Sequence, residues 1–452
     1  MHRNVTFLSV FRNEIPVMKI LITKYVYLFA ASLMLLYAFS MCVFKKNQTA
    51  ADYKFLPVDS LPDKPMMPDP FKKPDGTRVG SLEEWPEQRD YLKALLQHYL
   101  YGHVPPKPAK EELSFTRLSD EEFIPPDSAV KGRKQVYRII ITRNSLSHSF
   151  HFNLWRPEEL KRYPTLINNF MRPQSTQPAY SWEEGLRRGY MVVVFHRKEV
   201  APDEKENANR SEGIFPLYPE YDFYTIAAWA WAYQAIIDVL NELEVIDMDK
   251  IIVTGHSRGG QAAMAAGIFD ERIDMVAPST GGPWSVGSFR QRDPEDYRGT
   301  MDYGELIRGG FPHWYHPRFM EFTGKQNKMP FDSPTLIALI APRPLLNLNA
   351  VGDGINNGLA HEAGIRAGIR IYEWMDAGNW CRIHWRDTTN QYGQTGHDQG
   401  PEEYNAIFDY ADEYFFNKKG LSSYNSAPGT DTWRYNPDEY PLLIDWEVPG
   451  KK

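Results

Sequence analysis

Cysteine is almost absent from this chain, with two copies in 452 residues. Cys42 lies inside an N-terminal apolar run, and Cys381 lies far along the chain. A disulfide within the body of the protein is therefore excluded, so the hydrophobic core must stabilise the fold by itself.

An excess of basic residues is also lacking. Lys and Arg number 51 against 58 Asp and Glu, which gives a formal net charge of −7. No basic stretch is long enough to follow a phosphate backbone, and nucleic acid is therefore not an expected partner.

A targeting segment is expected over residues 1–48. Basic residues precede an unbroken apolar run from Tyr25 to Phe44, and Met18 is a better start than Met1 because a short basic region then leads directly into the run. The run is about long enough to span a bilayer, so it is interpreted as a cleaved export signal or a retained anchor. Lipid attachment at Cys42 remains an alternative. We expect an exported protein, periplasmic or at the cell surface, with no other membrane contact.

The rest of the chain is expected to form a linker over 49–80, a catalytic domain over 81–420 and a surface-wrapping tail over 421–452. A helix from Ser81 to Gly102 and a β-hairpin from Gln135 to Arg156 come first. Strands and helices then alternate. The predicted strands are Thr165–Asn168, Met191–Phe195, Ile251–Thr254, Met275–Pro278, Leu345–Asn349 and Ile369–Trp374, and the predicted helices are Tyr224–Leu243, Gln261–Gly267 and Glu402–Phe416.

A serine motif lies between a buried strand and a helix of small residues. The sequence Gly-His-Ser-Arg-Gly, residues 255–259, follows an apolar strand and leads into an Ala-rich helix. A serine on such a sharp turn needs neighbours without bulk, and the N–H groups at the helix start can stabilise an oxyanion. The motif predicts Ser257 as a nucleophile. With the order of elements it predicts an α/β-hydrolase fold, a three-layer sandwich with a mostly parallel central sheet, decorated by the N-terminal helix and the hairpin.

A serine nucleophile needs a histidine base and an acid that orients it, and in this fold they follow the serine in the order acid, then histidine. His397 lies in a glycine-rich loop just before the last helix, where the base is usually found, and His384 is the alternative. Asp353 follows a buried strand and is the expected acid. Asp332 and Asp398 remain alternatives.

These residues and their surroundings resemble the glucuronoyl esterase family of carbohydrate esterases, particularly its bacterial members. The resemblance spans nearly the whole exported chain. The motifs that carry it lie at residues 68–71, 75–79, 84–102, 226–231, 253–258, 270–272, 313–314, 330–332, 339–344 and 396–397.

The resemblance implies hydrolysis of an ester on the carboxyl group of a hexuronic acid in plant polysaccharide, either a methyl ester or a lignin alcohol ester. A methyl ester is expected. The resemblance also implies that no metal or cofactor is needed and that Arg258 helps to hold the oxyanion. A simple ion pair on the helix surface is the alternative for Arg258.

Three departures from the family pattern affect the expected substrate. Gln261 stands where many members have a lysine that binds sugar hydroxyls. Thr280 stands where many have a catalytic glutamate, which leaves the acid role to Asp353. Gly354 and Ile355 stand where a tryptophan is usual. These changes favour another uronate stereochemistry, so methyl galacturonate, as in pectin, is expected ahead of glucuronate.

The uronate pocket is expected to be basic or rich in amides. The candidates for substrate binding are Arg172, Gln174, Gln261, Trp284, Arg290 and Trp314. Two other functions remain open: a carbohydrate acetyl esterase with the same catalytic residues, and an inactive carbohydrate-binding protein that kept the fold.

Overall fold

The computed structural model describes residues 53–170, 179–295, 299–386, 396–418 and 433–450. The predicted export segment, residues 1–48, lies outside this part of the chain, so that prediction stays open. Within the described ranges, no helix combines the length and the apolar character needed to cross a membrane.

The part of the chain that the structure describes contains one sheet of nine strands, in the order β1-β2-β3-β5-β4-β6-β7-β8-β9. The strands are β1 Leu113–Phe123, β2 Gly132–Arg143, β3 Leu146–Pro157, β4 Tyr163–Phe170, β5 Met191–His196, β6 Ile246–His256, β7 Met275–Ser279, β8 Leu345–Ala350 and β9 Cys381–Arg386. The β1–β2, β2–β3 and β3–β5 pairs are antiparallel, and all other neighbouring pairs in this sheet are parallel. The predicted mostly parallel sheet with a hairpin at one side is confirmed.

Helices cover both faces of this sheet. Successive residues of β5 point in opposite directions, so Val193 belongs to one apolar cluster while Val192 and Val194 belong to the other. The helices are α1 Trp85–Leu96, α2 Ala179–Arg188, α3 Arg197–Val200, α4 Thr225–Glu242, α5 Arg258–Phe269, α6 Tyr303–Gly310, α7 Pro317–Met320, α8 Ser333–Ile340, α9 Gly358–Trp374 and α10 Pro401–Phe416. The first cluster includes residues of α4, α5, α8 and α9, and the second includes residues of α2 and α10.

The predicted hairpin is formed by β2 and β3. Asn144 and Ser145 form its turn with φ values of 52° and 63°, the positive values that two-residue hairpin turns favour. The sequence analysis missed the neighbouring strand β1, Leu113–Phe123. It is an edge strand with few buried side chains, so its apolar pattern is weak.

The predicted strand over Ile369–Trp374 is wrong, because these residues form the last turns of α9. Asn357 caps the helix by accepting a hydrogen bond from the Ala360 N–H at 3.0 Å. Gly368 then lets α9 approach α8, where an added Cβ would lie 2.7 Å from Ile337. The strand in this region is β9, whose Cys381 is buried and free.

Both flanking segments pack against the domain. In the segment predicted as a surface linker, Met67 and Phe71 are fully buried. The N–H of Met67 donates to the carbonyl of Leu443 at 2.7 Å, and the indole N–H of Trp446 donates to the carbonyl of Met67 at 3.0 Å. The two segments are therefore part of the same compact unit as the sheet.

Candidate active site

Ser257 occupies the turn between β6 and α5 in a strained backbone conformation. Its φ is 56° and its ψ is −124°, values that L-residues rarely adopt. The Ser257 N–H donates to the Ser279 carbonyl at 2.9 Å, and the Ser257 carbonyl accepts from the Gly260 N–H at 2.8 Å. These bonds hold the serine at the start of α5, where the first N–H groups have no partner within the helix.

The turn is tight enough that its glycines cannot carry side chains. A Cβ on Gly255 would lie 2.4 Å from the Gly259 carbonyl oxygen. A Cβ on Gly259 would lie 2.6 Å from the Asn169 side-chain oxygen. The small residues predicted around the serine are thus required by contacts between strand and helix.

His397 and Asp353 come together behind this turn. His397 Nδ1 and Asp353 Oδ2 are 2.9 Å apart. Asp353 lies just beyond β8 and also accepts from the Ile355 N–H and from Asn356 Nδ2, both at 2.9 Å. These contacts fix the carboxylate on one side of the imidazole, so Nε2 of His397 remains available for a proton from a nucleophile.

The charge on Asp353 is maintained although its side chain is fully buried. Burial by itself raises the pKa of this carboxyl. The hydrogen bond and charge of His397, with the Ile355 N–H, outweigh burial and hold the pKa below its usual value. An ionised Asp353 stabilises the imidazolium that forms when His397 accepts a proton.

The alternative acid and base residues occupy other environments. Asp332 caps α8 and forms a buried ion pair with Arg290. Asp398 accepts from the Gln399 N–H at 2.8 Å. His384 is buried on β9 and lies 3.5 Å from Glu402. Among the described residues, Asp353 is the acid that the structure records at hydrogen-bond distance from His397.

Arg258 follows the serine and is held by an acid that the sequence analysis missed. Its Nη1 lies 2.8 Å from Asp203 Oδ2. Asp203 also accepts from His313 Nε2 at 3.0 Å and from the Trp314 indole N–H at 2.8 Å. Burial raises the pKa of Asp203, but its bond to His313 and the Arg258 charge lower it well below the usual range. The only signal in the sequence was its place shortly after β5.

A cavity of about 280 Å³ lies in front of the serine. The predicted site residues that line it are Ser257, Arg258, Gln261, Trp284, Trp314 and His397. Aromatic rings form much of its wall, with the Arg258 guanidinium 4.6 Å from the centre of the Trp314 ring. The cavity thus combines a nucleophile, a base, a cation and flat apolar surfaces of the kind that pack against sugar rings.

Arg290, which was predicted to bind substrate, does not line this cavity. The Arg290 side chain is 2% exposed and pairs with Asp332 at 3.0 Å. It also donates to the carbonyls of Phe331 and Met329. These hydrogen bonds connect segments of loop backbone and leave no free edge of the guanidinium for a sugar. The other two predicted residues, Arg172 and Gln174, lie outside the described residues.

His256 and Thr280 contact each other next to His397, and they were not predicted as part of the site. The His256 ring centre lies 4.5 Å from that of His397, and its Nδ1 lies 3.0 Å from Thr280 Oγ1. Burial and the neighbouring His397 lower the pKa of His256 well below its usual value. A neutral ring therefore supports the His397 imidazole without adding a competing charge.

The family model described as "Glucuronyl esterase, fungi" matches residues 139–376, more than half of the chain. The chain belongs to the glucuronoyl esterase family. Like the other members of this family of carbohydrate esterases, it is a carboxylic-ester hydrolase.

The alignments with individual members of the glucuronoyl esterase family extend over most of this chain. A carbohydrate esterase from an unknown prokaryotic organism is 26% identical over 400 residues, covering 77% of this chain and 89% of the relative. A 4-O-methyl-glucuronoyl methylesterase from Phanerochaete carnosa is 25% identical over 407 residues, covering 85% and 88%. Among solved structures, a glucuronoyl esterase of carbohydrate esterase family 15 from Caldicellulosiruptor kristjansonii matches with a TM-score of 0.67 and 26% identity, covering 85% of this chain and 97% of that one.

Proposed function

We propose that this protein hydrolyses the carboxyl ester, in particular the methyl ester, of a glucuronic acid unit in plant polysaccharide. In this proposal Ser257 is the nucleophile, His397 the general base and Asp353 the acid that orients it. The observation that supports it most is the 2.9 Å contact between His397 and Asp353 at the wall of the cavity that contains the serine turn. The similarity to glucuronoyl esterases supports the glucuronoyl ester as the substrate.

The reaction proceeds in two steps at the serine. Ser257 Oγ attacks the ester carbonyl carbon, its proton passes to His397 Nε2, and the carbonyl electron pair moves onto oxygen. When this intermediate collapses, the alcohol leaves with the proton from His397 and an acyl-enzyme remains. A water molecule, deprotonated by His397, then attacks the acyl carbon. The second intermediate collapses by breaking the bond from the acyl carbon to Ser257 Oγ, His397 returns the proton to this oxygen, and the uronate is released.

Arg258 is the proposed donor for the negative oxygen of both tetrahedral intermediates. Its backbone N–H is at the start of α5, and its guanidinium lines the cavity. Asp203 and the Trp314 ring fix that guanidinium before substrate arrives. A donor that is already oriented needs no rearrangement when charge develops, which is why such groups accelerate ester cleavage strongly.

Glucuronate replaces galacturonate as the expected sugar. The relatives bear glucuronoyl names, and the environment of Gln261 weakens the argument for the epimer. Gln261 Oε1 accepts from the Tyr315 hydroxyl at 2.8 Å, so one of the two lone pairs of this oxygen is already used. The N–H groups of the amide can donate to substrate, which is the same hydrogen-bonding role as that of the family's lysine at this position. The substitution therefore does not by itself demand a different hydroxyl geometry.

A substrate panel tests the proposal. Initial rates would be measured on methyl 4-O-methylglucuronate, methyl galacturonate, an acetylated xylooligosaccharide and p-nitrophenyl acetate. We expect the highest kcat/KM on the glucuronate ester and a loss of at least about 10³-fold in Ser257→Ala. The matched control is Ser333→Ala, because this serine lies in the first turn of α8 and does not line the cavity.

The outcomes of this panel separate the candidate functions. A preference for the acetylated sugar would make the protein an acetyl esterase, and faster cleavage of the galacturonate ester would restore the pectin substrate. Inactivity on all four esters would favour the carbohydrate-binding protein. If Ser257→Ala kept a tenth of the wild-type rate, the serine mechanism itself would be wrong.

We also propose that residues 1–48 direct export, with the polysaccharide met outside the cytoplasm. The apolar run from Tyr25 to Phe44 supports this. Expression with and without residues 1–48, followed by cell fractionation, tests it. Esterase activity that stays in the cytoplasm when the segment is present would contradict export.

A further inference from the structure

Arg197 is a buried cation in the wall of the catalytic cavity. It directly follows β5, is 4% exposed and lines the cavity together with Ser257 and Arg258. Its guanidinium packs 5.0 Å from the centre of the Trp229 ring. A charged side chain is rarely buried to this extent unless a partner compensates its charge.

The compensation for this charge is incomplete. Nη1 of Arg197 donates to Asn169 Oδ1 at 3.1 Å. Among the described residues, its buried Nε has no hydrogen-bond partner, and no carboxylate lies within ion-pair distance of its guanidinium. The nearby Asp203 contacts Arg258 instead. Arg197 therefore keeps a positive charge that no fixed anion neutralises by direct contact.

The position of this charge is unfavourable for the folded state. A Cβ on Gly259 would lie 2.9 Å from Arg197 Nη1, so the guanidinium touches the first turn of α5. Cations near a helix N-terminus oppose the helix dipole, and Arg258 adds a second like charge. Burial, with a contribution from Arg258, lowers the pKa of Arg197 to about 10 against the opposing effect of Asp203. The group is still protonated at neutral pH.

The same guanidinium supports the two backbone elements that flank the oxyanion position in this fold. Asn169, at the end of β4, accepts from Arg197 and donates to the Gly259 carbonyl of α5 at 2.8 Å. In α/β hydrolases one oxyanion donor follows the serine and another follows a strand of this region. Through Asn169, Arg197 is therefore connected to the end of β4 and to the first turn of α5, directly after Ser257.

We propose that Arg197 is a second, positioning cation for the oxyanion, whose uncompensated charge stabilises the negative oxygen formed when Ser257 attacks the ester. The inference rests on the proposed serine mechanism but not on the identity of the sugar. The attack forms the bond from Ser257 Oγ to the acyl carbon, moves one electron pair onto the former carbonyl oxygen and transfers one proton to His397. The protein thus contains a cation that is costly in the resting enzyme and becomes favourable in the transition state.

The experiment compares Arg197→Met, which keeps the apolar stem, with Arg197→Lys, which keeps the charge. Arg343→Met is the matched control, because burial also lowers the pKa of Arg343 to about 10, but this half-buried arginine donates to the carbonyls of Gly267, Ile273 and Leu339 outside the cavity. Each variant would be characterised by its thermal unfolding midpoint, by kcat and KM on methyl glucuronate and p-nitrophenyl acetate, and by its affinity for phenylboronic acid, which forms an anionic adduct on a serine oxygen.

We expect Arg197→Met to lower kcat on both esters at least about thirtyfold with KM changed less than about threefold, as for loss of an oxyanion donor. Its affinity for phenylboronic acid should fall by a similar factor, its unfolding midpoint should not fall, and Arg197→Lys should recover most of the rate. Arg343→Met should show the reverse, a lower midpoint with kcat per folded molecule unchanged.

The inference would be overturned if Arg197→Met and Arg197→Lys lost the same activity, or if the boronate affinity stayed at the wild-type value. It would also be overturned by a lower unfolding midpoint in Arg197→Met with kcat per folded molecule unchanged, which is the signature of a structural arginine. If the wild-type enzyme hydrolysed p-nitrophenyl acetate but not methyl glucuronate, the result would count against the proposed substrate alone, because every ester forms the same oxyanion.

Discussion

Replacing Asp353 by asparagine tests how the acid controls His397. Asp353 Oδ1 accepts from the Ile355 N–H, and Oδ2 faces both His397 Nδ1 and Asn356 Nδ2. An asparagine that keeps its oxygen towards the backbone must therefore turn its NH₂ group towards His397. The imidazole can accept that hydrogen bond only at an unprotonated Nδ1, so its proton moves to Nε2. In that tautomer Nε2 cannot take the proton of Ser257.

The expected loss follows from this tautomer and from the missing charge beside the imidazolium. We expect kcat to fall by about 10³ to 10⁴, equivalent to about 4 to 5.5 kcal/mol in the transition state. Single-turnover acylation with p-nitrophenyl acetate would measure it directly, with circular dichroism confirming the fold. The loss should shrink at high pH, where hydroxide can replace the base.

The control for this experiment is another buried carboxylate. Asp398→Asn changes an acid next to His397 in the sequence whose side chain accepts from the Gln399 N–H, and it should leave the rate within about threefold of wild type. The reasoning would be refuted if Asp353→Asn lost less than about tenfold while Asp398→Asn lost the larger factor.

Two further predictions concern stability. Asp332→Asn removes one partner of the buried ion pair with Arg290, so the free energy of unfolding in urea should fall by about 3 to 5 kcal/mol. The kcat per folded molecule should stay unchanged. A variant as stable as the wild type would contradict this prediction. Burial raises the pKa of Asp274 from 3.8 to about 6, so the folded state binds the extra proton and stability falls as pH rises from about 4 to 6. Asp274→Asn should therefore add about 1 kcal/mol at pH 7 and nothing at pH 4, as measured by urea unfolding at both values.

The serine turn could be predicted from sequence because its physical requirements are local. A strand, a residue forced into positive φ and small neighbours leave a pattern within ten residues. Asp353 and His397 were also predictable, since each follows a recognisable element in a fixed chain order. Their 2.9 Å contact, across 44 positions of sequence, depends on β8 and the loop before α10 and is visible only in the structure.

The other residues that the sequence did not reveal are those whose environment depends on tertiary contacts. Arg290 and Arg197 are both arginines in polar surroundings, and no pattern in the sequence indicates that one pairs with Asp332 while the other lines the cavity. Asp203 was missed because its partners come from residues more than fifty positions away. The apolar residues of 369–374 fit either a strand or the end of a helix, and packing of α9 on α8 favours the helix.

The way Asp353 is anchored leaves one cavity position free to vary. Ile355 holds the carboxylate only through its main-chain N–H, while its side chain lines the cavity and is 39% exposed. An exchange of this side chain therefore alters the shape of the cavity entrance and leaves the acid in place. The position is therefore a starting point for directed evolution towards bulkier alcohol esters.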